Sequence, residues 1–244
     1  MSGLDLLESP QWSLGFVFKS DHPFFTINAR TITHTWILLG LLTLLLLVVR
    51  FIILKKKSTA RFIVLEFVRF FIDMCMQSMG TFFSFTHFSF ITALFIFIFC
   101  GNILSTIPWL EEPTQDLNTT LALGVIAFLY TQIAAVRAQG IKAYIAGYFA
   151  PFFIMLPLNI VGKLASVVSI SFRLFGNIFG SSIITRIYFS AIEGSLIAES
   201  AGLLTGLNIG MALFFSLFEG FLQAFVFAML SLTYLSIALQ GEGH

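Results

Sequence analysis

One arginine stands in a run that otherwise reads as membrane: SVVSISFRLFGNIFG, residues 166–180, with Arg173 near its centre. A guanidinium cannot shed its proton as a lysine can. Holding one at mid-bilayer costs roughly 2.5–3.5 kcal/mol even on the gentlest scale. No carboxylate lies one helical turn away. The charge therefore has work to do or a partner elsewhere in the fold.

At 3.6 residues per turn, Asn159, Lys163, Ser166, Ser169, Asn177 and Ser181 fall within about 80 degrees of Arg173 on a helical wheel. Leu164, Val168, Phe172, Phe175 and Phe179 fall on the other side. Such a polar stripe faces a partner helix or a water-filled cavity. Serines and glycines at this spacing also suit a helix-packing seam. A second intramembrane ionisable group follows downstream. Glu219 stands one turn before Gln223, with Ser216 beside it and Asn208 three turns earlier on nearly the same face. A carboxyl group in lipid must be protonated, paired or in contact with water. One facing water can pass a proton; one paired with Arg173 or Lys163 would hold two helices together. Gln223 can brace Arg173 by hydrogen bonding. An obligate cation and a titratable acid on adjacent overlong helices fit an ion pathway. The chain has no nucleotide-binding motif, so its energy source is a partner protein or an ion gradient.

The elements that must position these groups are membrane helices. The 244 residues are 58% hydrophobic and 10% charged, against about a quarter charged in a soluble domain, and the mean hydropathy is +0.96. A net charge of +1 gives no basic surface for nucleic acid. Cys75 and Cys100 sit in separate apolar segments and read as free thiols, neither a disulfide framework nor a metal site. No metal, cofactor, phosphate loop or internal repeat is indicated, and the acidic N-terminus does not read as a signal peptide.

The fold class expected is all-α: a polytopic membrane protein of five transmembrane helices plus one interfacial amphipathic helix, in one membrane domain over residues 1–244. Residues 1–34 read as an outside N-terminal tail. The first span is Trp36 to Leu54. Arg50, Lys55, Lys56, Lys57 and Arg61 then mark the inner side. Residues 60–80, with Arg61, Glu66, Arg69, Asp73 and Gln77 at helical spacing, read as a helix lying along the inner interface, with a second, short span as the alternative. Ser89 to Trp109 leads outward through Asn102. Thr119 to Val136 returns inward, with Asp116, Asn118 and Thr119 as its cap; Asp116 and Asn118 are also candidates for the polar lining of a half-channel. Residues 151–190 and 203–239 are two long, tilted helices forming the ion pathway. Acidic loops at Glu111–Asn118 and Glu193–Ser200 lie outside, and the C-terminus lies in the cytoplasm.

The string Ser171-Phe-Arg173-Leu-Phe-Gly-Asn177 resembles the Arg-Leu-Phe-Gly-Asn signature of subunit a of F-type ATP synthases. Pro157 stands sixteen residues before the arginine, where that family usually has a similar Pro-Leu. Gln223-Ala-Phe-Val-Phe resembles the motif of its last helix, and Pro113-Thr-Gln-Asp116-Leu-Asn118 its loop before the third span. The resemblance covers nearly the whole chain. It implies a non-catalytic stator protein without cofactors, its last two helices lying tilted against a ring of c subunits. Subunit b of the peripheral stalk and other ATP synthase subunits would be further partners. Two offset half-channels would reach the ring carboxylates. Arg173 would keep them from short-circuiting, with Gln223 placing it. The short N-terminus without a targeting segment is what a bacterial plasma-membrane protein is expected to show, with an organellar energy-coupling membrane as the alternative.

The chain also departs from the family. Many members have a glutamate nine residues after the arginine, where this chain has Ser182. Many have acids fourteen and ten residues before it, where this chain has Asn159 and Lys163. The His or Glu often found seven residues before the glutamine is Ser216. Glu219 is then the expected relay of the outer half-channel, with Asn177, Ser182 and Asn208 as water ligands. The rival expectations are a secondary transporter or channel acting alone, for which inverted repeats would be the mark, and a purely structural scaffold.

Overall fold

The computed structural model describes residues 11–13, 26–55, 59–104, 112–149, 152, 154–193, 200 and 205–240. Most of the tail, positions 56–58, 105–111, 150–151, 153, 194–199 and 201–204, and the last four residues lie outside the described residues, and with them the expected starts of the two long helices at 151 and 203. Two three-residue strands, β1 (Gln11–Ser13) and β2 (Thr26–Asn28), pair antiparallel with Trp12 opposite Ile27. The rest of the described chain is helical, and five of its helices are long and apolar enough to cross a membrane. This is an all-α polytopic membrane fold.

Helix α1 (Ala29–Leu54) begins seven residues before the expected Trp36 and is exposed along almost its whole length. It meets the bundle where buried Leu38 approaches Gly101. Helix α2 (Thr59–Met79) turns Phe71, Cys75 and Met79 inward at four-residue spacing and leaves Glu66 and Arg69 exposed as an i,i+3 pair. Helix α3 (Phe85–Leu104) buries Ile91, Leu94, Phe95, Ile98 and Asn102. Helix α4 (Leu117–Gln139) opens on Asp116, whose extended backbone and carboxylate cap it by accepting from the Asn118 N–H at 3.0 Å. It ends at Gly140, whose φ of 83° lies where a side chain would be strained.

That glycine releases a short helix, α5 (Ile141–Phe149), which the sequence reading did not separate. Helix α6 (Met155–Ile192) has 38 residues, about 57 Å of helix against a hydrocarbon core about 30 Å thick. Pro157 sits in its first turn, where a missing N–H costs nothing. The last span runs over Leu207–Gln240. It is not one α-helix, as expected, but three pieces: α7 (Leu207–Ala212), a π-helical stretch Leu213–Glu219, and α8 (Gly220–Gln240).

Helix α8 is the centre of the bundle. Ala224, Phe227, Ala228, Leu232 and Leu235 are buried against α2, α3, α4 and α6. Lipid is as apolar as these side chains, so close approach of small residues has to hold the helices together. A Cβ added to Gly124 of α4 would come within 2.1 Å of the Ser171 hydroxyl of α6. A Cβ on Gly220 would come within 2.8 Å of the Asn102 Cβ.

Candidate functional site

Helix α6 carries three faces rather than the expected two. Ile170, Ser171, Leu174 and Ile178 are buried, and α4 is the helix that packs most closely on α6. Phe172 and Phe179 are half exposed on the far side. Arg173 lies on the boundary between these faces and is exposed, as is Ser169. Among the described residues Arg173 has no ion pair and no hydrogen bond. The same holds for Glu219, which is half-buried at the last position of the π-helical stretch. Neither the Arg173–Glu219 pair nor the Lys163–Glu219 pair forms.

Gln223 was expected to brace Arg173. It is 4% exposed and instead accepts, through Oε1, a 2.6 Å hydrogen bond from the amide of Asn177, one turn beyond Arg173. That bond ties α6 to α8 at the level of the charge. It also aligns the two motif residues without neutralising either Arg173 or Glu219. Ser216, one turn before Gly220, is buried. Farther along, Asn208 accepts from the Tyr188 hydroxyl at 2.6 Å, a second tie between the two long helices. Ser181 and Ser182 are turned onto their own helix, donating to the carbonyls of Ile178 and Phe179 at 2.9 Å each.

The N-terminal half of the stripe forms a separate cluster. Asn159 donates to the Tyr148 carbonyl at 3.1 Å. The Lys163 ammonium sits 3.8 Å from the centroid of the Tyr148 ring and 5.4 Å from that of Tyr144, a cation–π arrangement favoured where water is scarce. The Tyr144 hydroxyl meets both Tyr148 and Gln132. Burial, then the hydrogen bond and the charge interaction with Tyr148, push the Tyr144 phenol up, so it remains a neutral donor. Lys163, Ser166 and Tyr144 border a cavity of about 300 Å³ between α4, α5, α6 and α8. The cavity is otherwise largely apolar, with Ala127, Phe128 and Ile170 on its walls.

Asp116 and Asn118 are not part of either cluster. The Asp116 carboxylate caps α4 and also accepts from the Thr31 hydroxyl at 3.1 Å, which ties α1 to α4. Sequence reasoning missed the tyrosine pair beside Lys163 and the partners of Asn102. Asn102 is 1% exposed, donates to the Gly220 carbonyl at 3.0 Å and accepts from Thr114 at 3.1 Å. A buried amide in an apolar run was the available signal, but its partner lies 118 residues away. Among the described residues no group of His, Cys, Asp and Glu could hold a metal.

Residues 32–236 match the ATP synthase A chain family. The chain is 32% identical to ATP synthase subunit a of Moorella thermoacetica over 87% of its own length and 91% of the relative's. It is 34% identical to ATP synthase subunit a 2 of Acaryochloris marina, over 64% of this chain and 61% of that one. It is 36% identical to ATP synthase subunit a of Campylobacter jejuni strain 81-176, over 63% and 65% respectively. The five spans, the two long helices tied at Asn177 and Gln223, and the match over residues 32–236 agree: the chain belongs to the ATP synthase A chain family.

Proposed function

We propose that this chain is the ion-translocating stator subunit of an F-type ATP synthase membrane sector, working with a c-subunit ring and a subunit b stalk. The observation that carries the reading is Arg173, a cation without a partner among the described residues, at the exposed edge of a helix too long for the membrane. In that position it can meet a mobile anion. A ring carboxylate that has lost its proton is attracted to Arg173. Once reprotonated it is released into lipid. A guanidinium suits this because its charge does not titrate. Asn177 and Gln223 lock α6 against α8, so the guanidinium stays on the ring-facing surface.

Glu219 is the proton-carrying group of the outer half-channel, taking protons from outside water and passing them to the ring. Tyr188, Asn208, Ser182 and buried Ser216 line that side. Protons leave on the inner side past Ser169, Ser166 and the Asn159–Lys163 cluster. The fixed ammonium of Lys163, held on its two tyrosines, keeps that exit positive. The N-terminus lies outside and the C-terminus in the cytoplasm of a bacterial cell, as the basic residues at positions 50–61, Arg137 and Lys142 imply.

The test is ATP-driven acidification of inverted vesicles. Arg173→Ala is expected to assemble with the c ring, shown by co-purification, and to lose coupled pumping. Glu219→Gln is expected to assemble and to lose pumping by about 10²-fold or more, the scale of a missing proton-transfer group. Normal pumping by Arg173→Ala would overturn the reading of the site, and normal pumping by Glu219→Gln would overturn the relay.

A further inference from the structure

We infer that Asn102 is a positioning residue: held by Thr114, its carboxamide clamps the Gly220 carbonyl and so sets the rotation of the π-helical stretch that carries Glu219. In one respect this rests on the relay proposed above, namely that the side chain being positioned is a proton carrier.

Asn102 lies in an otherwise apolar stretch of α3 and is almost fully buried. Burying an amide is unfavourable unless its donors and acceptors are bonded. Two of its bonds, 3.0 Å to Gly220 and 3.1 Å from Thr114, hold those neighbours in place. Thr114 has no exposed surface and sits in the short turn Pro113–Gln115, just before the residue that caps α4. The clamp thus rests on the packed end of α4 rather than on a free loop.

Gly220 is the first residue after the π-helical stretch. It has no Cβ, which is what lets Asn102 approach; an added Cβ would lie 2.8 Å from the Asn102 Cβ and 3.3 Å from its amide nitrogen. A π-helix has poorer packing than an α-helix and persists at sites where its surroundings hold it. It winds at about 4.4 residues per turn instead of 3.6, so the seven residues lag an α-helix by roughly a third of a turn. The stretch is held beyond both ends: α7 by Asn208 on Tyr188, α8 by Gly220 on Asn102. Glu219 directly adjoins the second anchor. Without the clamp the stretch can relax to α-helix, turning α7 by roughly a third of a turn and Glu219, beside α8, by a smaller angle relative to Gln223.

The test places one cysteine at Tyr188→Cys and one at Asn208→Cys, with Cys75→Ala and Cys100→Ala, in the assembled complex in vesicles; the pair removes the Tyr188–Asn208 bond from every sample, so that Asn102 is the anchor that differs between them. A short bifunctional thiol cross-linker is expected to join positions 188 and 208. Asn102→Leu, which keeps the volume and removes both bonds, is expected to abolish that cross-link. In the cysteine-free background it is expected to lower proton flux about tenfold or more, the scale of a misplaced reacting group. Should Asn102→Leu fail to assemble, Thr114→Val keeps the shape and removes only the anchor; it is expected to weaken the cross-link. An undiminished cross-link in an assembled Asn102→Leu or Thr114→Val complex would overturn the clamp. Loss of the cross-link alongside normal pumping by Glu219→Gln would leave the clamp standing and remove the relay.

Discussion

At the scale of single residues, the two charged groups of the proposed path, Arg173 and Glu219, stand apart from the neutral polar groups around them, which are bonded. Asn177, Gln223, Asn159, Asn102 and Asn208 all have definite hydrogen bonds. Arg173 and Glu219 have none among the described residues. This division is what an ion path needs: neutral groups hold the geometry and the charges stay available. Cys75 shows the opposite case of a reactive group made inert. It is fully buried on α2, and burial pushes its thiol up to about 11. The thiolate is the species that reacts, and at pH 8 roughly one thiol in a thousand is ionised. Maleimide labelling of Cys75 in native vesicles is expected to be slow at pH 8 and to rise about tenfold per pH unit up to pH 10. Fast labelling at pH 7 would show that α2 does not pack on the bundle as described.

At the scale of elements, α6 is placed by a small-residue seam. Ser171 donates to its own Val167 carbonyl at 2.9 Å, and this tucked hydroxyl fills the space above Gly124. Gly124→Ala is expected to push α4 and α6 apart and to cost about 1–3 kcal/mol. Ser171→Ala in the same chain removes the atom in collision, leaving the Ser171 Cβ position at 3.5 Å, an ordinary contact. The pair is therefore expected to recover most of the loss, as a double-mutant cycle read by detergent unfolding or by assembly yield. Additive losses would mean that the seam is not the contact that places α6.

At the scale of the whole molecule, the surface is the unfinished part. Trp36, Leu44 and Leu46 of α1 and Leu164, Phe172 and Phe179 of α6 are all at least two-fifths exposed. For α1, lipid satisfies this. For α6 the same surface borders Arg173, and lipid alone would leave that cation at its full cost. A photoreactive residue at Phe172 or Phe179 is expected to capture the ring subunit in the assembled complex. The same probe at Leu46 is expected to capture lipid. Capture of lipid alone at Phe172 would place the ring against another face.

The residues alone sufficed to mark the spans, the costly cation and the family. A long apolar run in a bilayer has only the helix as a way to satisfy its backbone, so composition and length suffice for α1, α3, α4 and α6. The arginine needs no fold to be recognised as costly, and its motif is contiguous in the chain. The tertiary structure alone decided how the last helix is wound, which partner Gln223 takes, and that α5 breaks away after Gly140. A helical wheel assumes 3.6 residues per turn throughout, and nothing in the run Leu213–Glu219 announces the slower π winding. The choice between Arg173 and Asn177 as the partner of Gln223 depends on how closely α6 and α8 approach. That approach depends in turn on Gly124 meeting Ser171 and Gly220 meeting Asn102, contacts between residues 47 and 118 positions apart that no local pattern contains.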